Sequence, residues 1–290
     1  MPTHKERILA AMRGEPVDCL PYVPRLDLWY LANSVAKTLP TQHQGRTQNE
    51  ISRAQGWALH HSEADDFFAP GVAEDYLHRA IGIFKLKHSV VDFHFPKDVE
   101  IRVQREGERT RVEYHTPVGT VSTVVRYTEG MQRLGISAPI TNEFLIKSPA
   151  DYVAAGYLFE HMRVTPNDER FREWQQEMGD DGVAVACAFR GASPMLQIQR
   201  DLLDPTEFFF HYEDHQRELR RLVEQMTPLF ESILAHTAES SSEAVLWGSN
   251  YDDMLTYPPY FEKEIQPWIR HASDVLGARG KVVLCHTDGE

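Results

Sequence analysis

The sequence predicts an α/β fold, a parallel sheet or (β/α) barrel interrupted by an antiparallel hairpin segment, and three observations carry that prediction. Short apolar runs, GVAVACAF, AVLWG and KVVLC, alternate with helical patterns in the second half of the chain. A strand covered on both faces in a parallel sheet reads as such an unbroken run. Each run gives way to polar side chains: Arg190 after the first, Asn250, Tyr251, Asp252 and Asp253 after the second, and Cys285, His286 and Asp288 at the end of the third. Reactive groups appear where a buried strand leaves its sheet, so these exits are the candidate site. Finally, between Val90 and Tyr127 the apolar period changes to two, which marks antiparallel hairpins. The chain is therefore expected to be one domain over residues 1–290 with a β insertion at about 90–127.

In chain order, Thr3 is placed to cap a helix whose Ile8, Leu9 and Met12 share a face, with Gly14 and Pro16 ending it. A strand is expected around Leu20 to Val23, with Arg25 and Asp27 at its exit, followed by a helix from Leu31 to Thr38. Thr41 to Gln48 reads as a polar loop, and Asn49 to His60 as a helix. EADDFFAP reads as a strand end bearing Asp65 and Asp66. Within the period-two segment, Ile101 and Val103, Val112 and Tyr114, and Val121 to Val125 are separated by turns at Glu106-Gly107 and Pro117-Val118-Gly119. Ser148 as N-cap and Pro149 as first residue open a helix to about His161. Asn167 to Met178 is helical. Asp204-Pro205 opens the longest helix, with Phe208, Tyr212, Leu219, Leu222, Met226 and Phe230 on one buried face. The last helix runs from Pro258 to Leu276 and stops at Gly277.

Composition narrows the partners. The 290 residues carry 43 acidic and 30 basic side chains, a formal charge of −13 that works against polyanions and so against nucleic acid. Cys19, Cys187 and Cys285 are odd in number and far apart, which predicts no disulfide framework and a reducing, cytoplasmic setting. No run approaches 18 apolar residues, so no membrane span is expected.

Several segments together resemble the uroporphyrinogen decarboxylase superfamily: KERILAAMRGEPVDCLPYVPRLDLWY, HTPVGTVSTVVR, FLIKSPADYVAAGYL, GSNYDDM and PPYFEKEIQPWIRHASDVLGARGKVVLCHTDG. The chain is more similar to the cobamide-dependent methyltransferase and O-demethylase-type branch than to the decarboxylases. The decarboxylases have an arginine-rich RQAGRY-like segment where this chain has PRLDLWY, leaving only Arg25 as an anion-binding equivalent. The resemblance implies a (β/α)8 barrel, a methyl group moved between a corrinoid or methoxylated donor and a thiol or folate-like acceptor, a corrinoid protein as partner, and zinc as cofactor. It also implies that the barrel's last strand-helix units lie beyond Glu290. In the methyltransferases a His-x-Cys pair and a later Cys hold the zinc. Here His286-Thr287-Asp288 stands in that place: Asp288 takes the second ligand position, and zinc chemistry admits a mixed N/O site, with a harder acceptor or no metal as the equal alternatives.

His286 has the chemistry of a metal ligand, a general base or a carboxylate-orienting group; as a bland alternative it bonds a neighbouring carbonyl. Cys285 alternates to the opposite face and is expected in the core. Asp252 and Asp253 can share a proton, hold a cation or seat the substrate, or merely cap a helix. Arg190 suits a substrate carboxylate or phosphate. Tyr251, Trp247 and Trp29 can stack on a flat substrate, although large aromatics usually fill cores. His60-His61, His211 and His215 fit no ligand motif, and the last two are expected to decorate a helix face. The catalytic set is thus His286, Asp288 and Asp252, the substrate set Arg25, Arg190, Tyr251 and Asp253, and the metal pair His286 and Asp288. Other readings are a decarboxylase of a tetrapyrrole or polycarboxylate and a non-catalytic protein that binds a corrinoid partner.

Overall fold

A computed structural model describes residues 1–62, 80–83, 88–134, 139–189, 191–249, 251 and 254–286. Four parallel strands, β1 (Leu59–Ser62), β8 (Gly182–Phe189), β9 (Ala244–Ser249) and β10 (Val282–His286), form one sheet in the order β1-β8-β9-β10. Between β1 and β8 in the chain lie β2 (Val91–His94), which pairs antiparallel with β7 (Arg163–Pro166), and an antiparallel meander. The meander consists of β3 (Glu100–Glu106), β4 (Arg109–Thr116), β5 (Gly119–Arg126) and β6 (Ile140–Glu143). The chain is thus a mixed α/β fold with a parallel sheet. Among the described residues that sheet is open, with β1 and β10 at its edges. No described helix is long and apolar enough to cross a membrane.

Alternation along the strands sorts the core into two. Val183, Val185 and Ala244 point to one face and pack with Ile8 and Leu9 of α1 (His4–Met12). Thr3 closes a capping box with Glu6 at the start of this helix, which satisfies the N–H groups of Thr3 and Glu6. Ala184, Ala186, Val245 and Trp247 point the other way. They join the main core with α5 (Asp151–His161), α6 (Asp168–Met178) and α9 (Gln216–Glu239), as do Val112, Tyr114 and Val121 of the meander. Helix α9 buries Leu219, Leu222, Met226, Leu229, Phe230, Ile233 and Leu234, a stripe at the three- and four-residue spacing of one helix face.

Several elements differ from expectation. Leu20 to Val23 forms no strand: Pro21 and Pro24 remove two ladder donors, Leu20 is exposed, and Ala58 N–H donates to the Tyr22 carbonyl. The following helix, α2, spans Asp27–Ala36, and α3 spans only Gln48–Gln55 because Gly56 takes a left-handed conformation. His60 therefore lies on β1. Ser148 does not cap α5, which begins at Asp151 after Ala150 with no side-chain cap; the Asp151 carboxylate instead reaches back to the N–H groups of Lys147 and Ser148. α4 is a short turn of helix at Glu129–Arg133.

The helix expected to run unbroken from Pro205 is two helices. α8 (Pro205–Asp214) stops at His215, whose backbone is not helical, and α9 begins at Gln216. The last helix is likewise interrupted: α10 (Pro258–Tyr260) and α11 (Gln266–Gly277) are joined by a widened π-type turn, Phe261–Ile265. Pro267 supplies the cause, because its ring clashes with a carbonyl four residues back in a regular helix and a widened turn relieves that clash. A similar turn, Ile198–Leu202, follows α7 (Pro194–Gln197) after β8.

Candidate functional site

The parallel strands end around Gly248. This residue takes φ +81°, and the β9–β10 pairing slips there: Leu246 faces Leu284, whereas Ser249 faces His286. Three steps of β9 match two of β10, a bulge that turns the strand end. Trp247, fully buried, donates from Nε1 to the Ala192 carbonyl at 3.1 Å, which ties the β9 exit to the β8 exit. Tyr251 folds back over this junction. A Cβ on Gly248 would stand 2.0 Å from Tyr251 Oη and 2.6 Å from Ala192 Cβ, so only glycine fits.

The Tyr251 hydroxyl is buried and has no hydrogen-bond partner among the described residues. Burial pushes its ionisation up, the neighbouring Cys285 adds to the shift, and Arg200 opposes it. Cys285 donates from Sγ to the Trp247 carbonyl at 3.4 Å, and burial of its thiol raises its ionisation too. These residues therefore form one cluster of phenol, thiol and guanidinium at the strand ends.

The helix after β8 supplies the rest. Ser193 accepts from Leu196 N–H and Pro194 occupies the first turn, so the chain reverses sharply at the end of β8. Gln197 and Gln199, both buried, donate from Nε2 to the carbonyls of Ile81 (2.8 Å) and Leu255 (2.6 Å). They pin the segments that lie beyond β1 and β9. Their Oε1 atoms have no partner among the described residues. A buried amide oxygen without a donor costs about 1–3 kcal/mol, so a donor from a ligand or water at either oxygen would be stabilising. Arg200 pairs with Asp201 at 3.0 Å, and Asp201 packs on Gly82, where an added Cβ would meet its Cβ at 2.5 Å.

The sequence-predicted residues separate into three groups. Tyr251 and His286 come together at the β9 and β10 ends, with Cys285 beside them. Cys285 is not in the core as expected. It is an exposed residue on an edge strand, where no further described strand covers it. Arg25 lies elsewhere, on the segment beside β1. Its guanidinium grips Asp27 through Nε–Oδ1 (2.9 Å) and Nη2–Oδ2 (3.2 Å). Strands lie about 4.8 Å apart, which puts β1 and β10, at opposite edges of the sheet, about 14 Å from one another. Asp65, Asp66, Arg190, Asp252, Asp253 and Asp288 lie outside the described residues.

Of the remaining candidates, Trp247 is core and Trp29 is partly exposed, edge-on to His43. His211 is not surface decoration: its Nδ1 shares a hydrogen bond with the Tyr152 hydroxyl at 2.9 Å, and burial lowers its protonation. His215 marks the break between α8 and α9. Gln197, Gln199, Arg200 and Asp201 are absent from the predicted set. Their signal was two glutamines inside the apolar run PMLQIQRDLL, where an amphipathic helix has no need of them.

For zinc, the described residues do not by themselves make a ligand set. Among them no three His, Cys, Asp or Glu side chains gather, and Cys285 turns to a backbone carbonyl. The fold and site define an α/β protein with a partly buried polar cluster at the carboxyl ends of parallel strands. In comparison with known proteins, no family model, no curated protein and no solved structure matches the chain.

Proposed function

We propose that the chain is a methyltransferase of the uroporphyrinogen decarboxylase-like superfamily, and that its parallel sheet belongs to a (β/α)8 barrel whose site lies at the carboxyl ends of the strands. The observation that carries this reading is that polar groups gather where the parallel strands end: the buried Tyr251 hydroxyl near Cys285 and Arg200, with His286 the last residue of β10. Barrel enzymes place their chemistry at this end of the strands. The three cysteines are free, which accords with a reducing compartment.

In this reading His286 takes the proton from the acceptor, a thiol or folate-like nucleophile. The nucleophile attacks the methyl carbon, and a corrinoid or methoxylated donor leaves with the bonding electron pair. Asp288 holds the imidazole in the tautomer that accepts the proton, and Asp252 supports the charge that develops. Tyr251, Asp253 and Arg190 seat the substrate. Arg25 joins them only by releasing Asp27, so anion anchoring of the decarboxylase kind draws little support from it.

The test uses the full chain with methylcobalamin and a small thiol, and mass spectrometry of the methylated thiol. Thioether formation above the uncatalysed rate supports the proposal. Turnover of uroporphyrinogen without methyl transfer replaces it by the decarboxylase reading, and corrinoid binding with neither reaction by the non-catalytic one.

A further inference from the structure

We propose that the groove between α5 and α9 is a second binding site, for a small organic anion with an apolar body. The two helices run side by side in the same direction and approach closely where Gly156 meets Gln225: a Cβ on Gly156 would stand 2.1 Å from Gln225 Oε1. Beside this contact lies a groove of about 540 Å³, within the size range of small-ligand sites. It opens on the outer helical layer, on the face of the parallel sheet away from α1, and shares no residue with the strand-end cluster.

One wall is apolar, made by Val118, Pro149, Tyr152, Val153 and Tyr157. Val118 and Val153 are 50% and 56% exposed, a cost that an apolar occupant would remove. The other wall presents Arg217 and Arg221, four residues apart on α9 and so on the same side of it. Among the described residues Arg221 makes no hydrogen bond or ion pair, and Arg217 gives only its Nη2 to Glu218, at 3.2 Å. The groove's carboxylates are already engaged: Glu218 by Arg217, and Glu160 by Gln225 Nε2 at 2.7 Å. Arg221 and the remaining N–H groups of Arg217 are therefore the groove's free charged donors, beside two carboxylates that are each held through one oxygen. An aryl or short acyl carboxylate matches it, its body against Val153 and Tyr157 and its carboxylate on Arg221 and the remaining donors of Arg217.

Calorimetric titration of the full chain with benzoate, and with benzamide as the neutral isostere, tests this. Saturable benzoate binding is expected, with benzamide at least about tenfold weaker, the factor that a charge-assisted pair contributes. Arg221→Gln and Val153→Trp, both on exposed positions, should each weaken benzoate at least about tenfold by the same reasoning, with an unchanged melting temperature. His286→Ala should leave it unaltered. Absence of saturable binding, equal affinity for benzamide, survival of binding in either groove variant, or its loss in His286→Ala overturns the proposal.

Discussion

The hydroxyl of Tyr251 occupies space that any side chain on Gly248 would need, 2.0 Å from the point where a Cβ would stand. Tyr251 could rotate away, but the Ala192 Cα, 3.2 Å from the same point, is backbone and cannot. Gly248→Ala is therefore strained both by its φ of +81° and by contact. Its expected cost is about 2–4 kcal/mol, read as a fall in the urea midpoint. A change below about 0.5 kcal/mol, the range of ordinary surface substitutions, contradicts this packing.

Glu264 sits buried on the widened turn and accepts from Tyr212 at 2.7 Å and Arg220 at 2.7 Å, tying that turn to α8 and α9. Burial alone would raise its ionisation, but the bonds from Arg220 and Tyr212 and the charges of Arg220 and Lys263 outweigh burial and lower it. A carboxyl lowered in the folded state stabilises fully above its unfolded value, about 4.3, and the contribution fades as pH falls through the folded one. Glu264→Gln should cost about 1–3 kcal/mol at neutral pH, and the gap to wild type should close in acid. Chemical denaturation across pH 2 to 7, about the span of that titration, reads this; a gap independent of pH contradicts it.

Thiol labelling should separate the three cysteines. Cys19 is exposed, Cys187 is buried, and Cys285 is exposed as a residue while its thiol is raised by burial and bonded to the Trp247 carbonyl. The thiolate is the reactive form, so Cys285 should label more slowly than Cys19 near neutral pH and gain on it as pH rises. Cys187 should react only on unfolding. Peptide mapping after timed alkylation distinguishes the sites, and Cys285 labelling first at neutral pH would reverse this account of its environment.

The polar link between α5 and α8 gives a further prediction. Desolvation lowers His211, with His215 adding to the shift, so below about 6.5 the unfolded chain binds more protons and stability falls with pH. His211→Gln should flatten that limb just below about pH 6.5, followed as melting temperature. An unaltered slope would sink this assignment.

The parallel strands were legible because burial on both faces writes an unbroken apolar run, and GVAVACAF, AVLWG and KVVLC became β8, β9 and β10. The meander was legible through its period of two, with Val112 and Tyr114 inward and Arg111 and Glu113 outward on β4. What escaped depends on long-range partners. Leu20 to Val23 has the apolar content of a strand, but two prolines leave it nothing to pair with. The same prolongation of pattern past its physical limit hid the breaks at His215 and before Pro267. At the site, Tyr251 and His286 were visible because they stand at strand ends, Tyr251 just past β9 and His286 the last residue of β10. Gln197 and Gln199 were not, since a glutamine becomes noticeable only once its amide is buried and half satisfied. Cys285 was misplaced because alternation alone ignores that, among the described residues, no strand covers the outer side of β10.

His286 is the proposed general base of methyl transfer at the strand ends. The most direct measurement compares full-chain wild type with His286→Ala in single-turnover transfer from methylcobalamin to a thiol, alongside corrinoid affinity and melting temperature. The account predicts a fall of about 10²-fold or more in the transfer rate, the scale of a lost general base, with affinity and melting temperature unchanged. Transfer by His286→Ala at the wild-type rate would contradict it.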